Sequence, residues 1–113
     1  MNYSIQLYPL FIKELKRLAK RYKSLKSDLE GLREELLANP EEGANLGNGV
    51  HKVRMAISAK GKGKRAGARV ITVLLDISGD EKEIGLHYIY DKSEKESLTD
   101  KEINDILKAN GII

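Results

Sequence analysis

The run Val70-Ile71-Thr72-Val73-Leu74-Leu75 is apolar or β-branched at both parities, and it constrains the fold more than any other feature of the chain. Successive side chains of a strand point to opposite faces. A strand that is apolar at every position must therefore be covered on both sides, which makes this segment a central strand.

The other elements follow from periodicity. In residues 3–7, Tyr3, Ile5 and Leu7 alternate with Ser4 and Gln6, the pattern of a short strand. Pro9 suits the first turn of a helix, where its missing N–H costs nothing. Phe11, Ile12, Leu15, Leu18, Ala19 and Tyr22 then recur at helical spacing, opposite a basic face of Lys13, Lys16, Arg17, Lys20, Arg21 and Lys23. Ser24 marks a break or cap. Leu25, Leu29, Leu32 and Leu36 predict a second amphipathic helix, ended at Asn39-Pro40 because the residue before proline avoids the α region. The short connection makes the two helices an antiparallel hairpin.

Residues 41–49, with three glycines, read as a loop. Residues 51–57 alternate Val53, Met55 and Ile57 with Lys52, Arg54 and Ala56, a strand with one polar face. Residues 58–67 are rich in Gly and Lys and read as irregular. After a turn at 78–82, residues 83–90 form another strand, with Ile84, Leu86, Tyr88 and Tyr90 expected on one face. A charged loop leads to Thr99 and Glu102, a capping box, and to a final helix carrying Ile103, Ile106 and Leu107 that Gly111 closes. The expected fold class is α+β, in the order β-α-α-β-β-β-α. A small antiparallel sheet carries the N-terminal helical hairpin on one face, and residues 1–113 form one domain.

The absence of cysteine excludes disulfides, thiolate metal sites and cysteine nucleophiles. No stretch approaches the ~20 apolar residues of a membrane span. Met1-Asn2-Tyr3-Ser4 has neither a basic region nor a long apolar one behind it, so no export signal is expected and the cytoplasm is the default location.

Net charge is only +3, but its distribution is uneven. Residues 52–69 hold seven basic side chains and no acidic one, whereas residues 76–113 hold five basic and ten acidic. Solvated charge runs usually mix signs. A single-sign segment on an otherwise acidic chain points to a polyanion as ligand. Within it, Lys52 and Arg54 share one strand face. Lys60, Lys62 and Lys64 are separated by glycines that let the backbone approach a ligand closely. Arg69 opens the next strand, facing away from Val70. If residues 58–67 join two adjacent strands, Arg54 and Arg69 converge on one phosphate, which a planar guanidinium binds in bidentate fashion. The Gly-spaced lysines lack the Gly-Lys-Ser/Thr of a P-loop. His51 and His87, far apart in sequence, read as ordinary strand residues.

Lys52-Val53-Arg54, the loop Lys60-Gly-Lys-Gly-Lys64, and Ala66-Gly67-Ala68-Arg69-Val70-Ile71 together resemble the RelE/ParE superfamily of toxins, and more narrowly its HigB branch. The downstream run from Tyr88-Ile89-Tyr90-Asp91-Lys92 to Leu98-Thr99 resembles the closing pattern of that family. The resemblance covers nearly the whole chain. It implies a type II toxin–antitoxin module: an endoribonuclease that cleaves mRNA on the ribosome and is held in check by a helix-turn-helix antitoxin. It also implies chemistry without metal or cofactor, in which the ribose 2′-OH attacks the adjacent phosphate. On that resemblance Arg69 stabilises the phosphorane, and Lys52 and Arg54 are phosphate clamp and candidate base. Lys92 or Lys95 is acid or second clamp, while Lys60, Lys62, Lys64 and Arg65 grip flanking RNA. Some relatives place a tyrosine at the start of the last helix. Here Thr99 stands at that position, leaving Tyr88 or Tyr90 to stack on a base. Two alternatives stay open: a ParE-like inhibitor of DNA gyrase without nuclease activity, and a non-catalytic RNA- or ribosome-binding module.

Overall fold

The doubly apolar run lies in β4 (Ala68–Ser78), the middle strand of a five-stranded sheet. The structure, a computed structural model, describes residues 2–113. Four further elements are where periodicity predicts them: β1 (Asn2–Leu7), α1 (Pro9–Arg21), α2 (Leu25–Ala38) and α3 (Asp100–Ala109), while β5 (Glu81–Asp91) begins two residues earlier than expected, inside the presumed turn. β3 (Val50–Met55) ends two residues earlier than expected. Pro9 opens α1, and Thr99 and Glu102 form the reciprocal capping box of α3. None of the described helices is long and apolar enough to cross a membrane.

The sheet order is β1-β5-β4-β3-β2, and two features differ from expectation. First, the sheet is mixed. β1 runs parallel to β5, from Asn2 opposite Glu81 to Leu7 opposite Leu86, while the remaining pairs are antiparallel. The helical hairpin carries the chain from the β5 edge across the sheet, so β1 lies along β5 in the same direction. Second, part of the expected loop is a fifth strand, β2 (Ala44–Gly47), paired with β3. Asn48 and Gly49 between them both have positive φ, 53° and 80°. Asn-Gly in that conformation makes the two-residue turn whose twist suits a β-hairpin.

Each face of the sheet has its own apolar layer. Phe11 and Leu18 of α1 and Leu25, Leu32 and Leu36 of α2 pack on Val53, Met55, Val70, Leu86 and Ile89. On the other face Ile103 and Leu107 of α3 cover Val50, Ile71 and Val73. This two-sided cover accounts for the doubly apolar character of β4.

The expectation that Ile84, Leu86, Tyr88 and Tyr90 share a face is incorrect. Ile71 pairs with Tyr88 but Thr72 pairs with Leu86, so His87 is the extra residue of a bulge. A bulge inverts the alternation beyond it. Ile84 and Leu86 therefore face the helical hairpin, and Tyr88 packs on the α3 side. The bulge is held on several sides. His87 stacks on Tyr8 with ring centres 3.9 Å apart, over Gly85, where any Cβ would lie 2.8 Å from the Tyr8 ring. Asn110 donates to the His87 carbonyl at 3.0 Å and accepts from Leu10 N at 3.0 Å, tying the end of α3 to the start of α1.

Burial pushes His87 down to about 4. Between that value and the ordinary ~6.5, the unfolded chain binds a proton that the folded chain does not. Stability is thus complete above pH ~6.5 and falls as pH is lowered toward 4. Urea midpoints at pH 7 and pH 5 should show this drop in the native chain and a smaller one in His87→Gln. Equal drops would contradict the assignment.

Candidate functional site

The basic residues of the sheet converge by register. Arg54 of β3 stands directly opposite Arg69 of β4, and Tyr90 of β5 follows in the same row. Lys52 lies one row along on the same face, opposite Ile71. Like charges directly opposed across a sheet destabilise it, so this arrangement opposes the fold unless an anion offsets it.

Arg54 is exposed. Arg69 is 6% exposed, because residues 64–68 close over it. Its guanidinium donates to the carbonyls of Lys64 at 3.1 Å, Ala68 at 3.2 Å and Arg65 at 2.9 Å. Burial lowers the Arg69 pKa and the neighbouring Arg54 lowers it further; a guanidinium keeps its charge regardless. Those three bonds make Arg69 the fastener of the basic loop as well as a member of the row.

The sequence predicts an irregular, Gly- and Lys-rich segment at 58–67. The structure fixes it at both ends. Ser58–Lys60 form a 3-10 turn seated on α2, where Asp28 accepts from Ser58 N at 3.0 Å and Ser24 Oγ accepts from Ala59 N at 2.8 Å. Gly67 lies so close to β3 that a Cβ would sit 2.2 Å from the Met55 carbonyl oxygen. Its own carbonyl accepts from Lys92 N at 3.0 Å.

Between these anchors is a buried carboxylate absent from the predicted site. Asp91, 0% exposed, accepts from Lys60 Nζ at 2.5 Å, Tyr22 Oη at 2.5 Å, Ser93 N at 2.9 Å and Ser93 Oγ at 2.8 Å. Burial alone would push its pKa up. The hydrogen bonds from Lys60, Tyr22 and Ser93 outweigh that and hold it well below the usual carboxylate range.

A cavity of about 560 Å³ opens on this face, lined by Glu42, Lys52, Arg54, Lys64, Arg69 and Lys92 together with Gly43, Ala44 and Val53. No residue of α3 lines it. Five predicted residues thus share one wall: Lys52, Arg54, Lys64, Arg69 and Lys92. Lys64 also pairs with Glu35 at 2.8 Å, and Lys92 donates to the Glu96 carbonyl at 2.7 Å.

The other predicted residues lie elsewhere, for physical reasons. Lys60, expected to grip RNA, is the partner of buried Asp91, and its side chain is 13% exposed. Lys95 does not line the cavity; it pairs with Glu102 at 2.9 Å in the first turn of α3. Tyr90, expected to stack on a base, is 4% exposed, and its hydroxyl has no hydrogen-bond partner among the described residues. Lys62 lines a separate hollow of about 270 Å³ with Arg21, Tyr22 and Ser93. Arg65 is exposed, and its carbonyl serves Arg69. His51 and His87 are both buried; His51 is the ordinary strand residue expected, whereas His87 is the extra residue of the β5 bulge.

Sequence reading missed Glu42, which lay in the presumed loop, and Asp91, which it left in the charged loop before Thr99. The cue for Asp91 was its place at the end of an apolar strand. No protein-family model matches the chain, and no curated protein matches it.

Removing one partner of a buried pair costs about 3–5 kcal/mol, because the other charge is left uncompensated. Asp91→Ala should lower unfolding stability by that amount in urea titrations, and adding Lys60→Met should restore part of it. A loss below about 1 kcal/mol, or no recovery in the double variant, would contradict the Asp91 network.

Proposed function

We propose that the chain is a ribonuclease toxin of the RelE type, an mRNA interferase of the cytoplasm that cuts message on the ribosome and is neutralised by a helix-turn-helix antitoxin. The observation that carries this reading is the opposed pair Arg54 and Arg69, with Lys52, Lys64 and Lys92 in the same concave wall. Five cations around one hollow are costly together and suited to a phosphodiester. The α+β architecture, with a helical hairpin on one sheet face and the cationic cavity on the other, agrees with the RelE-like fold that the sequence motifs resemble.

In this reading the exposed guanidinium of Arg54 and the remaining N–H groups of Arg69 hold the scissile phosphate. Their charge meets the negative charge that develops on the phosphorane. Because Arg69 is fixed by three carbonyls, it meets that charge with little reorganisation. Lys92 stands in the same wall as donor to the leaving 5′-oxygen. Lys62 and Arg65 contact neighbouring phosphates, where each contact adds salt-dependent affinity without sequence preference.

Arg54 is the better test residue, since Arg69 also holds the loop. Native chain and Arg54→Ala are added to a translating extract and the 5′ ends of the message are mapped. Codon-phased cuts are expected from the native chain, at a rate that falls about 10²–10³-fold in the variant, as for loss of one charge-stabilising donor. Intact message with continuing growth arrest in cells would overturn the nuclease reading in favour of gyrase inhibition. Intact message with RNA binding alone would favour the non-catalytic module.

A further inference from the structure

Phosphodiester cleavage by a ribose 2′-OH needs an acceptor for the hydroxyl proton. Lysine and arginine at neutral pH ordinarily hold their full complement of protons, and a lysine accepts one only when its pKa is pulled far down. Among the described residues lining the cavity there is one carboxylate, that of Glu42. Carboxylates are ordinarily proton-free at neutral pH and have lone pairs available.

Glu42 is set in place by the fold. α2 ends at Ala38 with Asn39 as its C-cap, Pro40 follows, and Glu42 N donates to the Asn39 carbonyl at 3.1 Å. Gly43 has φ +92°, and a Cβ there would lie 2.3 Å from the Lys52 carbonyl oxygen. Only glycine lets the chain press this closely against β3. Ala44 opposes Lys52, and Glu42, two residues before it, lines the same cavity as Lys52, Arg54 and Arg69.

The Glu42 carboxylate is also free. Among the described residues it has no hydrogen bond or ion pair, whereas Asp28, Glu35, Asp91, Glu94 and Glu102 each have side-chain partners. A half-buried acid in a wall of cations, paired with none of them, is positioned for a ligand atom.

We infer that Glu42 is the general base of the cleavage reaction, accepting the 2′-OH proton of the ribose whose phosphate sits between Arg54 and Arg69. This rests on the ribonuclease reading above. As the O2′–P bond forms, the proton passes to the Glu42 carboxylate. The P–O5′ bond then breaks, and the leaving oxygen takes a proton from the Lys92 ammonium. The products are a 2′,3′-cyclic phosphate and a 5′-hydroxyl end, and proton return from the Glu42 carboxyl to Lys92 through solvent resets the site.

The test uses the full chain, a defined message in a translating extract, and the same sequence as a 2′-O-methyl oligoribonucleotide that binds without being cut. Glu42→Gln keeps the shape and removes the base. It should slow cleavage about 10²–10⁴-fold, leave affinity for the 2′-O-methyl strand within a few-fold of native, and abolish the acid limb of the kcat/KM pH profile. Glu42→Asp should retain part of the rate and keep that limb. Cleavage by Glu42→Gln at the native rate, or with its acid limb intact, overturns the assignment while the ribonuclease reading stands. Absence of cleavage by the native chain overturns both. A Glu42→Gln defect that appears equally in binding of the 2′-O-methyl strand also overturns it, showing a role in holding RNA.

Discussion

Asp91 is closed off from solvent at the end of β5, and the geometry of the site depends on what it accepts. Lys60 brings the basic loop to it, Tyr22 brings the end of α1, and Ser93 brings the segment that leads to Lys92. An ionised carboxylate in an apolar setting is unfavourable unless it is paired and hydrogen-bonded. Here one charged donor and three neutral ones satisfy it, and together they fix three separate pieces of chain. With the loop fixed, its carbonyls at Lys64 and Arg65 reach Arg69, and Arg69 is held beside Arg54. The concentrated charge that the sequence displays as a run is divided in the fold between a buried fastening and an open wall.

That division explains how much could be read from the sequence. The two-sided cover of β4, the helical hairpin, the capping box at Thr99 and the adjacency of Arg54 and Arg69 all follow from periodicity and short connections, because they depend on local pattern. The inverted face of Tyr88 was not legible. A bulge at His87 is stabilised by Tyr8, Gly85 and Asn110, residues spread over most of the chain's length. β2 was legible in principle. Asn48-Gly49 carries the hairpin signal, but the glycines around it read more simply as a loop.

Within the site, residue type pointed to the cations and was silent about the acids. Lys60, Lys62 and Lys64 look equivalent in sequence, yet one pairs with a buried carboxylate, one faces a separate hollow and one lines the cavity. What separates them is a 3-10 turn and a carboxylate thirty-one positions downstream. Glu42 and Asp91 are acids among many acids. Their distinction arises from placement, by Gly43 against β3 in one case and by burial at a strand end in the other.

The central claim is that the opposed arginines form a seat for a phosphodiester. A crystal structure of the chain with an uncleavable 2′-O-methyl oligoribonucleotide tests it directly. The account predicts a backbone phosphate within hydrogen-bond distance of both the Arg54 and Arg69 guanidinium groups, with the preceding ribose turned toward Glu42. RNA bound along the basic face of α1, with the cavity left empty, would contradict it.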